Sequence, residues 1–318
     1  MKSFILTTLF FASSVFPNES HPFDPSFLLD IPLFFGKDLN NIKVVQLGGY
    51  SNLNYLLDEK YVLKIPGKGS SILVNKENEL TNFEKISQFS FVPKLEYFDT
   101  KSGLQVTSYV HHSHSIDVTC VNTLEAVAML LRKVHMSGCR FQGENCFSKI
   151  NDYFNFLEAT CPNKLDCYSF FIDTYSNLSS VLQRESLTNF PTHGDATPGN
   201  FLATPNGIML LDWEYSAPND PAWDLAYFAI ESGINRADLD RMLHSWAESG
   251  EEFNDIRDRV FLYEPIVELV ICLWADIQLV KGNFSFPEAD LKQLKEARLT
   301  HCRELTKSLR FKKLLESF

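Results

Sequence analysis

From Ile42 onward, apolar and polar positions alternate with a period close to two. The segments Val44-Val45-Gln46-Leu47, Asn54-Tyr55-Leu56-Leu57 and Tyr61-Val62-Leu63-Lys64-Ile65 read as strands. Gly48-Gly49 turns the chain between the first two, and Asp58-Glu59-Lys60 between the second and third. Pro66-Gly67-Lys68-Gly69 breaks the pattern, and a polar helix is predicted over 73–88. Strands over 93–98 and 104–109 complete a small sheet of about five strands. From Asn122 the period changes to that of a helix. Leu124, Val127, Leu130, Leu131 and Val134 share one face behind a capping-box variant, Asn122 with Glu125, and Gly138 fits the C′ position. Further helices are predicted over 147–159, 167–182, 237–248 and 265–280. A last one runs from Pro287, with Ser285 as N-cap. A β-rich part followed by an α-rich part is an α+β, two-lobed order. The expected division is a leader or extension over 1–37, a small N-lobe over 38–110 and a helical C-lobe over 111–318.

Composition narrows the field. The chain has 318 residues, 45% of them hydrophobic and 13% aromatic, enough for a large core. Its net charge of −11 argues against a nucleic-acid partner, which needs a basic surface, and suits a neutral or cationic small molecule. The seven cysteines (120, 139, 146, 161, 167, 272 and 302) form no C-x2-C pair and read as free thiols in a reducing compartment. Met1-Lys2 followed by an apolar stretch over 4–16 has the length of a signal-peptide core and is too short for an ordinary membrane span.

The chemistry concentrates in His193-Gly194-Asp195-Ala196-Thr197-Pro198-Gly199-Asn200 and in Asp212, twelve residues further on. The pattern H-x-D-x4-N followed by a lone acid supplies what phosphoryl transfer from ATP requires. One carboxylate meets the attacking hydroxyl, and an amide oxygen and a second carboxylate hold Mg²⁺. Between them lie two short apolar runs, 201–204 and 208–211, separated by Pro205-Asn206-Gly207. A hairpin turning at Asn206-Gly207 would bring Asn200 and Asp212 to the same open end, where both could bind one metal cluster. Gly48-Gly49-Tyr50-Ser51-Asn52, between two predicted strands, reads by itself as a plain hairpin turn or as a phosphate loop, in which the glycines allow close backbone approach and Ser51 and Asn52 add donors. His111-His112-Ser113-His114 lacks a second ligand group at metal spacing and reads as a solvated turn.

The segment Leu211-Asp212-Trp213-Glu214-Tyr215-Ser216, with Asn219-Asp220-Pro221-Ala222-Trp223-Asp224-Leu225-Ala226, resembles bacterial choline kinases. These form part of the choline/ethanolamine kinase branch of the aminoglycoside phosphotransferase superfamily, with its protein-kinase-like fold. The resemblance runs over about 43–280 and is sharpest at 48–55, 62–82, 193–202 and 211–226. It implies that Asp195 is the base and orienter of the acceptor hydroxyl and that His193 props the catalytic loop, with Asp224 in support. Asn200 and Asp212 would hold the metal, and Gly48, Gly49, Ser51 and Asn52 would form the nucleotide loop. Lys64 takes the place of the phosphate-contacting cation, where these kinases often carry arginine, and Glu79, with Glu77 as rival, would hold it. Trp213, Glu214, Tyr215, Trp223, Trp274 and Asp276 supply the aromatic and acidic groups that a quaternary ammonium needs.

The reading is an ATP- and Mg²⁺-dependent kinase acting on the hydroxyl of an amino alcohol, choline above all. Ethanolamine, thiamine or an aminoglycoside are the alternative acceptors, and a catalytically silent binding protein is a different class. A kinase needs ATP, so a cytoplasmic location is expected. The apolar N-terminus then reads as an upstream-start or packed segment, with an exported or anchored leader as the alternative, and no other membrane association is expected.

Overall fold

The computed structural model describes residues 23–47, 52–67, 73–184, 186–282 and 287–318. Gly48, Gly49, Ser51, Ser285 and the apolar stretch over 4–16 lie outside the described residues.

The five expected strands form one antiparallel sheet: β1 (Val44–Leu47), β2 (Asn52–Leu57), β3 (Tyr61–Pro66), β4 (Leu95–Phe98) and β5 (Gln105–Ser108), in the order β1-β2-β3-β5-β4. Side chains alternate across a strand, so the sheet has two different faces. Tyr55, Leu57, Leu63 and Val106 point to one face and are buried. The row Asn54, Lys64 and Gln105, paired across β2, β3 and β5, points to the other and lines the interlobe cavity.

The apolar face is covered by residues assigned from sequence to an extension before residue 38. Two short 3-10 turns, Pro25–Leu28 and Pro32–Phe34, place Leu28, Ile31 and Phe34 in the same core as Tyr55, Leu57 and Leu63. The Phe23 ring meets that of Tyr55 at 5.0 Å. This segment is therefore N-lobe structure. Single helical turns started by proline carry no periodicity for a sequence pattern to register.

Helix α1 (Lys76–Ile86) is capped by Asn75, whose side chain accepts from the Glu77 and Asn78 amides. Its apolar residues Phe83 and Ile86 pack into the large C-terminal core, and Glu79 faces β3. That core is built from α2 (Val121–His135), α3 (Cys146–Thr160), α4 (Ile172–Leu182), α5 (Pro221–Ser232), α6 (Arg236–Trp246), α7 (Gly250–Lys281), α8 (Glu288–Lys307) and α9 (Leu309–Ser317).

Several boundaries differ from expectation. α2 starts at Val121 without a side-chain cap, so Asn122 is not its N-cap. The segment over 167–182 divides into a 3-10 stretch, Asp166–Phe171, and α4. α7 runs unbroken through Pro265, although an internal proline costs about 3 kcal/mol. Residues on both sides of it, Val260, Leu262, Tyr263, Ile266 and Val267 among them, are buried, and that burial outweighs the lost hydrogen bond. α5 was not anticipated, yet it carries standard signals: Asp220 accepts from the Ala222 amide, Pro221 sits at the first position and Gly233 closes it at φ 63°. Nearly every residue of α5 is buried, which leaves no amphipathic stripe.

Four short strands carry the catalytic segment. β7 (Phe190–Thr192) pairs with β10 (Ala217–Asn219), and β8 (Phe201–Thr204) with β9 (Gly207–Leu210). β6 (His114–Ser115) adds to the edge of β8, so the histidine-rich turn ends in an exposed two-residue strand.

Candidate active site

The β8–β9 hairpin sets the geometry. Thr204 pairs with Gly207, so the turn is Pro205-Asn206, one residue earlier than expected. Proline's fixed φ suits the first turn position, and Gly207 at φ 119° takes up the unusual backbone. The open end is as foreseen: the Leu211 amide donates to the Asn200 carbonyl at 2.8 Å, which leaves Asn200 and Asp212 side by side. Asp212 sits in the left-handed region at φ 61°, ψ 72°, a conformation costing about 1–3 kcal/mol that is retained at functional sites.

On the N-lobe side, Lys64 is buried among three carboxylates. Its Nζ lies 2.6 Å from Asp212, 2.8 Å from Glu214 and 3.1 Å from Glu79. Burial acts to lower its pKa, but the three acids outweigh it and hold the ammonium well above the usual range. Glu79 also meets Lys76 at 3.1 Å. Burial pushes Asp212 up to about 6 in spite of Lys64, whereas Glu214 is held low because Lys64 overcomes the effect of its burial. Asn52 donates to Glu214 at 3.1 Å, and its Oδ1 is buried with no hydrogen-bond partner. Oxygens of Glu79, Asp212 and Glu214 all lie within 4.8 Å of one another. With the neighbouring Asn200 these are hard oxygen donors, which fit Mg²⁺.

The catalytic loop is fixed from behind. Asp224 is fully buried and accepts from the His193 amide at 2.7 Å, the Gly194 amide at 2.9 Å and His135 Nε2 at 3.0 Å. His193 is also fully buried, and burial lowers its pKa, so the ring is neutral. Its Nε2–H donates to the Leu211 carbonyl at 2.7 Å and its Nδ1 accepts from the Asp195 amide at 3.3 Å. The imidazole thus joins the loop bearing Asp195 to the segment bearing Asp212. Gly194, at φ 81°, packs so closely on the Tyr215 carbonyl that a Cβ could not be accommodated. Asn200 Nδ2 donates to the Asp195 carbonyl at 2.9 Å and to its Oδ2 at 3.1 Å. Burial, reinforced by Asp212, Glu231 and Glu214 and opposed by Lys149, pushes the Asp195 carboxyl up to about 7. A base poised near neutrality has both the right protonation state and useful basicity at physiological pH.

A cavity of about 1210 Å³ runs between the lobes and past Asp195. Its lining includes Val62, Leu202 and the 108–110 segment, and also Tyr215, Trp223, Tyr227, Glu231 and Trp274. Of the residues expected beside the acceptor, Glu214, Tyr215, Trp223 and Trp274 line the cavity. Trp223 also donates to the Gly194 carbonyl at 3.3 Å. Glu214 is turned to Lys64, 2.8 Å away. Trp213 and Asp276 do not line the cavity. Trp213 is buried against Phe141 and His193, its indole N–H donating to the Leu210 carbonyl. Asp276 is buried among Lys164, Lys295 and the Tyr168 hydroxyl at 2.7–2.8 Å. Both segments are apolar on several sides, so spacing alone did not reveal which residue faces inward. Tyr227, Glu231 and Lys149 were missed. Asp224, Tyr227 and Glu231 stand at i, i+3 and i+7 of α5, a pattern that identifying the helix would have exposed. Lys149 on α3 carries no such signal.

A two-lobed architecture with a neutral histidine brace, a buried carboxyl of raised pKa and a clustered acid–lysine site defines a protein-kinase-like phosphotransferase. The comparisons narrow this further. The choline/ethanolamine kinase family model matches residues 47–244, and the chain belongs to that family, whose members phosphorylate an alcohol. Protein LicA of Haemophilus influenzae is 26% identical over 275 residues, 81% of this chain and 79% of that protein. A choline/ethanolamine kinase family protein from Mesorhizobium loti superposes with a TM-score of 0.75 at 25% identity, covering 92% of this chain and 97% of that one. Choline kinase LicA from Streptococcus pneumoniae gives 0.67 at 25% identity, covering 87% and 94%. Among the described residues, no helix is long and apolar enough to cross a membrane.

Proposed function

We propose that this kinase moves the γ-phosphoryl group of ATP, held with Mg²⁺, to the hydroxyl of choline in the cytoplasm. The observation that carries the reading is the position of Asp195. Its carboxyl, pushed up to about 7, lines the same cavity as the carboxylates of Asp212 and Glu214 and the aromatic Tyr215, Trp223, Tyr227 and Trp274. Val62 and Leu202 offer apolar faces to an adenine, and the Ser108–Val110 backbone passes beside them. Asn200, Asp212 and Glu214 would hold Mg²⁺, which when bound neutralises charge on the phosphates. Lys64 holds the metal-binding carboxylates in place through its own charge. Asp195 takes the proton of the acceptor hydroxyl and aims its oxygen, and Asn200 fixes the orientation of Asp195.

A quaternary ammonium has no N–H and cannot donate a hydrogen bond, so aromatic faces and a carboxylate must hold it. Trp223, Tyr227 and Trp274 with Glu231 are suited to that task. The test is ATP consumption by the purified chain against choline, ethanolamine, thiamine and a panel of aminoglycosides. Choline is expected to give the highest kcat/KM. Preference for a polyamine sugar would reject choline while leaving the kinase chemistry in place.

A further inference from the structure

Five cationic side chains line the described cavity, and four of them are already matched. Lys64 has three carboxylates, Arg236 pairs with Glu264, Arg298 pairs with Glu231 at 2.5 Å, and His301 meets Glu268 at 2.5 Å. The fifth, Lys149, has no ion pair among the described residues. It lines the cavity from α3, where its Nζ stands 3.4 Å from the centroid of the Tyr215 ring and 5.9 Å from that of Tyr153. The charged groups facing it are Asp195 from the catalytic loop and Glu214 from the phosphate side. Tyr215 lies beneath it, and Cys146 and Tyr153 flank it on its own helix. Tyr215 follows Glu214 in the chain and its carbonyl packs on Gly194, the neighbour of Asp195, so an ammonium over that ring lies close to both acids.

Resting on the kinase reading above, we infer that Lys149 is a catalytic residue whose ammonium binds the oxygens of the phosphoryl group during transfer. In that step the acceptor oxygen forms a bond to the γ-phosphorus, and the bond from phosphorus to the β–γ bridging oxygen breaks. ADP leaves with that electron pair, and the hydroxyl proton passes to Asp195. Lys149 keeps its protons and offsets the charge on the oxygens of the moving group. An ammonium in a partly dry site with no carboxylate at ion-pair distance is poorly compensated until an anion arrives. Burial, opposed by Asp195 and Glu214, draws its pKa down to about 8. A phosphoryl group beside it would therefore restore the charged form and bind more tightly as negative charge accumulates. The Tyr215 face holds the ammonium in place by a cation–π contact that competes weakly with an anion.

The test compares Lys149→Met and Lys149→Arg with the wild-type chain in three readouts: kcat and KM with the acceptor, KM for ATP, and ATP hydrolysis by water with no acceptor present. Lys149→Met is expected to lower kcat by about 10²–10³-fold, with both KM values within roughly threefold, and to lower acceptor-free hydrolysis in parallel. Lys149→Arg should recover at least about tenfold of that loss and remove the alkaline fall expected in wild-type kcat/KM for ATP above pH about 8, where the free ammonium loses its proton. Retention of more than about a tenth of kcat in Lys149→Met, or an arginine variant no better than the methionine one, overturns the assignment. So does a lower KM for the acceptor at unchanged kcat, which would make Lys149 only a rival cation for the aromatic face. Should Lys149→Met not fold, the wild-type profile decides: a kcat/KM for ATP that stays flat to pH 10 rejects the role. Hydrolysis by water separates the two readings. A wild type that ignores choline yet hydrolyses ATP through Lys149 sinks the choline assignment and keeps this one.

Discussion

Lys64 Nζ and Asp212 Oδ1 lie 2.6 Å apart although 148 positions separate them in the chain. The pair joins the cavity face of the N-lobe sheet to the residue that follows the β8–β9 hairpin. It therefore ties the relative position of the lobes to the charge balance of the nucleotide site. Lys64→Ala would leave Glu79, Asp212 and Glu214 facing one another with their shared cation removed. Breaking a buried pair typically costs about 3–5 kcal/mol. The variant is expected to melt well below the wild type and to turn over at least about 100-fold more slowly. Added Mg²⁺ or Mn²⁺ alone should raise its melting temperature more than that of the wild type. Calorimetry showing equal metal responses would contradict the shared role of these acids.

Asp195→Asn separates catalysis from stability. Loss of a general base costs about 10²–10⁴-fold in turnover, while nucleotide affinity should persist. Wild-type kcat/KM should decline as pH falls below about 7, where the carboxyl takes up its proton. The stability effect runs the other way. The folded pKa is raised from 3.8 to about 7, so below 3.8 the carboxyl is neutral in both states. Between those values the unfolded chain ionises first and stability falls as pH rises. The variant, with no charge to bury, should melt a few degrees above the wild type at pH 8, the gap closing toward pH 4. A gap that grows as pH falls would refute the assignment.

Gly194→Ala tests the loop geometry. The glycine adopts φ 81°, and an added Cβ would collide with the Tyr215 carbonyl. The loop must move, which displaces the backbone of Asp195. We expect activity to drop by more than about 100-fold with the helical core intact by circular dichroism, since small misplacements of reacting groups are this costly. Near-normal kcat would show that the loop tolerates the shift.

The aromatic residues should divide into two behaviours. Trp274→Ala is expected to raise KM for choline roughly tenfold, about 1.4 kcal/mol, with a smaller effect on KM for ATP. Trp213→Ala, in the core, should cost about 3–5 kcal/mol of stability and leave KM for choline near normal in the surviving folded fraction. Asp276→Ala should also destabilise, because Lys164, Lys295 and Tyr168 lose their common partner. If Trp213→Ala changes KM and Trp274→Ala does not, the acceptor end has been misassigned.

The N-terminal segment offers a simple deletion test. A chain beginning at Phe23 keeps every described contact of the N-lobe. One beginning at Asp38 loses Leu28, Ile31 and Phe34 from the sheet's core, and each buried apolar side chain contributes about 1.5–3 kcal/mol. The shorter form should express poorly or melt markedly lower, and equal melting temperatures would show that these turns are dispensable.

The sequence by itself determined what depends on neighbours along the chain. Strand alternation from 44 to 65 gave the first three strands of the sheet, with Lys64 inside the third. A short two-residue turn between apolar runs was enough to bring Asn200 and Asp212 together, even with the turn one residue off. Local periodicity and turn chemistry act within a few residues, so they remain visible in one dimension. Tertiary structure alone decided which side chains of the buried helices meet the cavity. α5 and much of α7 are apolar around their circumference, so no stripe marks the facing side, and Trp274 and Asp276, two residues apart, go to different environments. It likewise decided that Lys149, from a separate helix, lies over the Tyr215 ring in the cavity that Asp195 lines, and that the turns over 25–34 close the N-lobe core. Those placements follow from how whole elements pack against one another, which local propensities do not encode.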